Sequence, residues 1–230
     1  MTGSAESKSM SERIHPLVIR LTHWVNVIAL YIMVTSGLKI YNASPIFGFL
    51  FPDWLTTGGW LAGARQWHFF AMWLFVVNGI VWVSYNCISK HGRYTTLFRP
   101  KDAHGVLPMI KYYLRIYKQH PRTGKYNALQ KLAYSSMILV ALVAVLTGLS
   151  IYWPVQMQVI TAIFGNYDTA RIYHFLAMSA IVLFFFGHLF MVAIAGWRNF
   201  LSMITGRGAS HHGGPAVVTA SHGSAHASPH

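Results

Sequence analysis

Of the thirteen histidines in this 230-residue chain, four fall inside long apolar stretches: His23, His68, His174 and His188. An ionisable side chain is costly in such a setting, so each is a candidate functional group. If successive stretches run in alternate directions, His23 lies near one face of the array and His68 and His174 near the other. His188 follows His174 by 14 residues, which carries it roughly 21 Å deeper along a helix and returns it to within about 40° of the same face. Two layers follow, His68 with His174 and His23 with His188. Two imidazoles from different helices in each layer suit bis-histidine ligation of a haem iron, giving two b-type haems. Zinc needs four close ligands, or three and a water, and neither layer offers a nearby carboxylate or thiolate.

Three of the four histidines share a flank. Arg20-Leu-Thr-His23, Arg65-Gln-Trp-His68 and Arg171-Ile-Tyr-His174 all read R-x-x-H. The arginine stands on the same helix face, one turn toward water, where it could pair with a haem propionate. The other histidines are poor candidates. His15, His91, His104 and His120 flank the stretches or lie in loops. His211, His212, His222, His226 and His230 belong to a Gly/Ser/Ala/His-rich tail whose composition reads as disordered.

The elements that position these residues are legible from charge. Only 10% of the chain is charged, against about 25% in a soluble domain. No Asp, Glu, Lys or Arg occurs in the 18 residues between Arg20 and Lys39, the 24 between Arg65 and Lys90, the 36 between Lys131 and Asp168, or the 26 between Arg171 and Arg198. A helix crosses the hydrocarbon layer in about 20 residues, so four spans are expected, near Leu17–Tyr41, Trp67–Ser89, Leu132–Trp153 and Ile172–Gly196. Ser44–Gly63 is apolar but holds Pro45, Pro52, Asp53, Gly58, Gly59 and Gly63. Backbone broken so often cannot face lipid, and it reads as an interfacial loop with Trp54 and Trp60 at headgroup depth. Trp153–Gly165 is its counterpart after the third span. The fold class is therefore an all-α integral membrane protein, a four-transmembrane-helix bundle spanning residues 14–206. A short segment (1–13) precedes it and the tail (207–230) follows.

The net charge of +13 points to membrane topology rather than to nucleic acid. Lys90, Arg93, Arg99, Lys101, Lys111, Arg115, Lys118, Arg122 and Lys125 crowd the loop between spans two and three, with Asp102 the one acid there. The positive-inside rule makes this loop and both termini cytoplasmic. Within it, Pro108–His120 carries Lys111, Arg115 and Lys118 on one helical face and Ile110, Tyr113, Leu114 and Tyr117 on the other, the pattern of an interfacial amphipathic helix on anionic lipid. The lone Cys87 rules out an intramolecular disulfide, a four-cysteine cluster and C-x-x-C-H haem attachment. Met1–Ser11 is polar and no cleavage site follows an apolar core, so the first apolar run is expected to stay as span one.

The chain also repeats itself. Ser36-Gly-Leu-Lys-Ile-Tyr41 ends span one and Thr147-Gly-Leu-Ser-Ile-Tyr152 ends span three. Arg65-Gln-Trp-His68-Phe-Phe-Ala-Met72 opens span two and Arg171-Ile-Tyr-His174-Phe-Leu-Ala-Met178 opens span four. Two like-oriented helical hairpins are implied, with His68 and His174 as symmetry mates. The inner layer breaks the symmetry: Tyr134 stands where His23 would repeat, and Trp82 matches His188. The two haems should then differ in environment and potential. Gly37, Gly79, Gly148 and Gly187 serve either close approach of a macrocycle or close helix packing.

Arg20-x-x-His23-Trp24, His68 at the start of span two and His174-x13-His188 in span four resemble the hydrogenase-type and formate-dehydrogenase-type membrane cytochrome b family, over roughly Ile14 to Gly206. Gly124-Lys-Tyr-Asn-Ala-Leu-Gln-Lys131 is similar to the cytochrome b subunits of formate dehydrogenase and of thiosulfate-reductase-like systems. The resemblance implies a subunit of the bacterial cytoplasmic (inner) membrane with two b haems, ligated by His68 with His174 and His23 with His188. It implies electron exchange between quinone and an extracytoplasmic, often molybdenum-dependent, redox enzyme. It places Asn127 and Gln130 at the quinone, where their amides can hydrogen-bond a carbonyl; a polar cap on span three is the competing role. Two other functions fit the same residues: a stand-alone haem oxidoreductase acting on quinone and a small oxidant such as superoxide, and a haem-free membrane transporter or scaffold.

Overall fold

The computed structural model of the chain describes residues 12–13, 15–89, 97–119, 121 and 127–208. Ile14, His91, His120, Lys90, Arg93, Arg122, Gly124–Tyr126 and the tail histidines lie outside them. The helices in order are α1 (Leu17–Ala43), α2 (Leu61–Ile88), α3 (Ala103–Tyr113), α4 (Ala128–Tyr152), α5 (Gln158–Ile163), α6 (Tyr167–Ala195) and α7 (Trp197–Thr205). Among the described residues, four are long and apolar enough to cross a membrane: α1, α2, α4 and α6. The all-helical bundle expected from the charge pattern is therefore the fold. The one β feature among the described residues is a two-residue antiparallel pairing, Glu12 opposite Gly208 and Arg13 opposite Arg207, which ties the segment before α1 to the segment after α7.

The bundle is two hairpins. α1 packs along α2 and α4 along α6, whereas helices of different hairpins have little direct backbone contact. Inside each hairpin most buried positions are small, among them Ala29, Ser36, Ala64, Ala71, Thr147, Ser150, Ala170 and Ala177, with Leu38, Tyr41, Asn78 and Asn86 the larger exceptions. Small residues let helix backbones approach where lipid gives no hydrophobic drive to associate. The large apolar side chains face outward, among them Ile28, Phe70, Trp73, Val77, Leu139, Leu183, Phe186 and Phe190, as a lipid-facing surface requires. Between the hairpins the ties are side chains. Tyr41 packs on Phe175 with ring centres 5.2 Å apart, and Phe69 on Tyr152 at 4.2 Å. Arg171 donates to the Ser44 carbonyl, and Arg20 to the Ile204 carbonyl.

α4 and α6 begin four and five residues earlier than expected, at Ala128 and Tyr167, and three larger changes accompany them. α2 begins at Leu61, a turn and a half before Trp67, because Leu61–Gln66 are mostly good helix formers and Ala64 is fully buried. His68 therefore sits about two turns inside its helix. The Ser44–Trp60 segment is irregular, as its prolines and glycines require. Asn42 exchanges two hydrogen bonds with Phe51 (2.7 and 2.9 Å), and Lys39 pairs with Asp53 at 2.6 Å; Trp54 and Trp60 are exposed.

The interfacial helix expected over Pro108–His120 is instead α3, Ala103–Tyr113. Asp102 explains the shift. Its carboxylate accepts from the Arg99 amide (2.9 Å) and from Lys131 at the start of α4 (2.9 Å), which organises the turn that launches the helix five residues early. Pro108 is accommodated inside it. The helix ends at Tyr113, and Arg115, with φ of 59°, is in the left-handed region; Arg115 and Lys118 are therefore not on the helix. Met109 is fully buried, so α3 also packs against the protein.

The third change is α7, a short helix that the charge pattern did not announce. Gly196, at φ 86°, turns the chain sharply after α6, a conformation that glycine alone adopts at little cost. α7 then lies against the start of α1: Trp24 Nε1 donates to the Met203 carbonyl (3.2 Å) and its ring meets Phe200 edge-on at 6.0 Å.

Candidate functional site

The structure brings the four intramembrane histidines together as two pairs. The rings of His68 on α2 and His174 on α6 have centres 6.3 Å apart; those of His23 on α1 and His188 on α6 are 6.1 Å apart. Each pair bridges the two hairpins. A metal–imidazole bond is about 2 Å long, and a ring nitrogen lies on the order of 1 Å from its ring centre, so two imidazoles sharing one ion have centres about 6 Å apart. No third ligand joins either pair: among the described residues, no three His, Cys, Asp or Glu side chains gather. An ion held here must bring its remaining ligands with it, as an iron in a porphyrin does.

The outer pair is built on the repeat. His68 Nδ1 lies 3.0 Å from the Met33 carbonyl oxygen and 3.2 Å from Ser36 Oγ, both on α1. His174 Nδ1 lies 3.0 Å from the Ala144 carbonyl oxygen and 3.1 Å from Thr147 Oγ1, both on α4. Gly37 and Gly148 make room for these rings. A Cβ at Gly37 would come within 3.3 Å of His68 Cε1, and one at Gly148 within 3.2 Å of His174 Cε1. At these two glycines, then, the close neighbour is one of the paired imidazoles. Gly79 and Gly187 differ, since a Cβ on either would meet nothing within 4 Å.

The inner pair has no such arrangement. His23 meets Trp24 edge-on at 5.3 Å, and Phe184 stacks on His188 at 6.1 Å; neither imidazole has a hydrogen-bond partner among the described residues. Nearby, Asn78 of α2 donates to the Thr22 carbonyl (2.8 Å) and to Asn26 Oδ1 (2.6 Å), fastening α1 to α2 beside His23.

The arginines are placed with their histidines, one turn away as the R-x-x-H spacing dictates. Arg20 ties α1 to the end of α7, while its Nε is buried without a hydrogen-bond partner. Such a donor is costly to leave unmet and suits a carboxylate. Arg171 reaches the Ser44 carbonyl and lies 3.7 Å from Asp168. Arg65 sits over the Phe69 ring, 5.7 Å from its centre. Asn127 and Gln130 form a reciprocal cap at the start of α4: Asn127 Oδ1 accepts from the Gln130 amide (2.8 Å), and Gln130 Oε1 from the Asn127 amide (3.0 Å). Asn127 Nδ2 also reaches Tyr113 Oη on α3 at 3.4 Å.

Residues 14–206 match the family model described as prokaryotic cytochrome b561. The chain belongs to that family. A putative protein-methionine-sulfoxide reductase subunit YedZ1 from Azospira oryzae (strain ATCC BAA-33 / DSM 13638 / PS) is 42% identical over 193 residues, covering 84% of this chain and 96% of that one. As a cytochrome b561-family member with four spanning helices, the chain is a multi-pass bacterial membrane protein that binds b-type haem and transfers electrons. The membrane cytochrome b resemblance carried by the R-x-x-H and His174-x13-His188 motifs is thereby borne out. Sequence reasoning missed Ser36, Thr147 and the carbonyls of Met33 and Ala144. The signal was present, since Ser36-Gly37 and Thr147-Gly148 open the repeated segments, but their side-chain job needed the fold.

Proposed function

We propose that this cytochrome is a di-haem electron-transfer subunit, passing electrons between the membrane quinone pool and an extracytoplasmic oxidoreductase. The carrying observation is the pair of two-histidine sites, each spanning both hairpins at a separation suited to one shared iron. In this reading His68 and His174 hold an outer haem, and His23 and His188 an inner one. A bound b haem supplies a one-electron carrier at each level. Arg20, Arg65 and Arg171 offer cationic partners for propionates; the unmet Nε of Arg20 supports this for the inner level.

The partner reading draws on the relative's name: a methionine-sulfoxide reductase, expected here to be molybdenum-dependent, would dock on the loops 42–64 and 154–170. Both are rich in exposed aromatic and aliphatic side chains, including Phe49, Leu50, Trp54, Trp60 and Val155. The basic loop between α2 and α4 and both termini would face the cytoplasm. Quinone would bind at that face beside Asn127 and Gln130, whose side-chain amides retain N–H groups after capping α4. Residues 14–206 form the haem domain, with 1–13 and 207–230 as its flanking segments.

The test is haem stoichiometry and redox titration of the purified chain. Two haems per chain are expected. His68→Ala and His174→Ala should each lose the same haem, and His23→Ala and His188→Ala the other. A single haem in the wild type, or His68→Ala and His188→Ala losing the same one, would sink the layer assignment. Crosslinks to the partner enzyme are expected from the 42–64 loop. Crosslinks confined to the basic loop would reverse the orientation.

A further inference from the structure

We infer that Ser36 with the Met33 carbonyl, and Thr147 with the Ala144 carbonyl, are paired positioning seats that fix the tautomer and ring direction of His68 and His174. The inference rests on the ligand assignment above and asks what holds those ligands.

The geometry leaves one arrangement of protons. A carbonyl oxygen can only accept, so His68 Nδ1, 3.0 Å from the Met33 oxygen, must carry a hydrogen. The Ser36 hydroxyl has one proton, and its oxygen lies 2.5 Å from the Ile32 carbonyl one turn back. That carbonyl takes the proton, so Oγ is left to accept from Nδ1 at 3.2 Å. His174 repeats the pattern. Its Nδ1 is 3.0 Å from the Ala144 carbonyl, and Thr147 Oγ1, 3.1 Å away, gives its own proton to the Val143 carbonyl at 2.7 Å. With Nδ1 protonated on both rings, both Nε2 lone pairs are free for iron. A metal-ligating histidine whose second nitrogen is hydrogen-bonded is fixed in orientation and made more basic.

Each seat is assembled from one short piece of helix: a carbonyl, a hydroxyl residue three positions on, and a glycine after it. A Cβ in place of the glycine would press on the ring at 3.3 Å (Gly37) or 3.2 Å (Gly148), so the ring would have to give by a few tenths of an ångström. Ser36 and Thr147 are fully buried, and neither is placed to touch anything in the inner layer. The outer level is therefore the one with its ligand directions set by the protein. The inner imidazoles, held by ring contacts, are not set in this way.

Ser36→Ala, Thr147→Val and the double variant in the full-length chain decide this. Ser150→Ala is the control, because Ser150 is equally buried and bonds its own helix carbonyl at 3.0 Å without touching a histidine. The outer haem signal is defined as the one absent from His68→Ala. In the double variant that signal should show a shifted midpoint in redox titration, a broadened low-spin EPR line, and haem retention weakened about tenfold, the usual scale for losing such a partner. The inner signal should not move, and Ser36→Thr and Thr147→Ser should restore the outer one. Unchanged outer titration and EPR in the double variant would overturn the seats while leaving the ligand assignment intact, as would equal shifts in both haems or in Ser150→Ala. Loss of neither haem in His68→Ala would overturn the ligand assignment itself.

Discussion

At the level of His68 and His174, each contact has a counterpart under the pseudo-two-fold: Ser36 with Thr147, Gly37 with Gly148, and the Tyr41–Phe175 ring pair with Tyr152–Phe69. At the level of His23 and His188 the counterparts are Tyr134 and Trp82, which are no ligands, and Phe184 stacks on His188 where the matching position in α2 is Asn78. The difference teaches how one repeated hairpin can present two unlike sites. A symmetric site can be built once and copied, and its hydrogen bonds come with it. An asymmetric site draws on single residues of each copy, and here it is held by ring packing and by α7, which closes over α1 through Arg20 and Trp24.

The contrast can be broken most severely at the glycines. Gly148→Leu or Gly37→Leu should push the imidazole off its seat and abolish the outer haem while the inner one persists, read as a fall from two haems to one in the reduced spectrum. Loss of the inner haem in the same variants would mean that the layers are one cooperative unit. Next in size is release. If the proposed ligation holds, haem should leave in two phases in increasing denaturant, the inner on the order of tenfold faster because His23 and His188 lack hydrogen-bonded second nitrogens. Equal rates would erase the distinction. Phe184→Ala should sharpen it further by removing the ring stacked on His188. The expected loss is about 1 kcal/mol, a roughly fivefold faster inner phase, with the outer phase unchanged.

A smaller effect separates capping from quinone chemistry. Asn127→Asp with Gln130→Glu keeps a good reciprocal cap but removes the amide donors. Thermal stability should hold while quinone-dependent haem reduction slows. Stability falling with quinone kinetics intact would leave the pair as a cap.

The smallest effect lies away from both layers and provides a baseline. Burial opposes ionisation of Asp102, but the Lys131 hydrogen bond and the Arg99 amide outweigh it, so its carboxyl is held below the usual carboxylate range. A depressed folded pKa contributes stability that is present at neutral pH and is lost as pH falls through that value, below about 4. Unfolding of wild type and Asp102→Asn should therefore differ by less than about 1 kcal/mol at pH 6 and converge as the pH is taken below the depressed carboxyl pKa, with both haem signals unaffected.

Much of this was legible in the chain. Charge-free runs located α1, α2, α4 and α6 because a membrane forbids unpaired charge over a fixed thickness. The His174-x13-His188 spacing located two levels because helical rise and turn are fixed. Less was legible at the ends of elements. α2 starts before Trp67 because Leu61–Gln66 can join the helix without a charge boundary to mark it, apart from Arg65. α3 starts earlier than its charge pattern implies because Asp102, in sequence a lone acid among bases, is anchored by Lys131 and the Arg99 amide. α7 was hidden because Gly196 looked like an ending.

By itself the sequence determined the four spans, the two hairpins and which histidines sit in apolar surroundings, since all of these follow from local composition and helical period. Only the tertiary structure decided what each imidazole's second nitrogen meets. A Met33 or Ala144 carbonyl has no signature in the sequence, and a backbone acceptor becomes part of a site only when another helix brings a ring against it across a glycine.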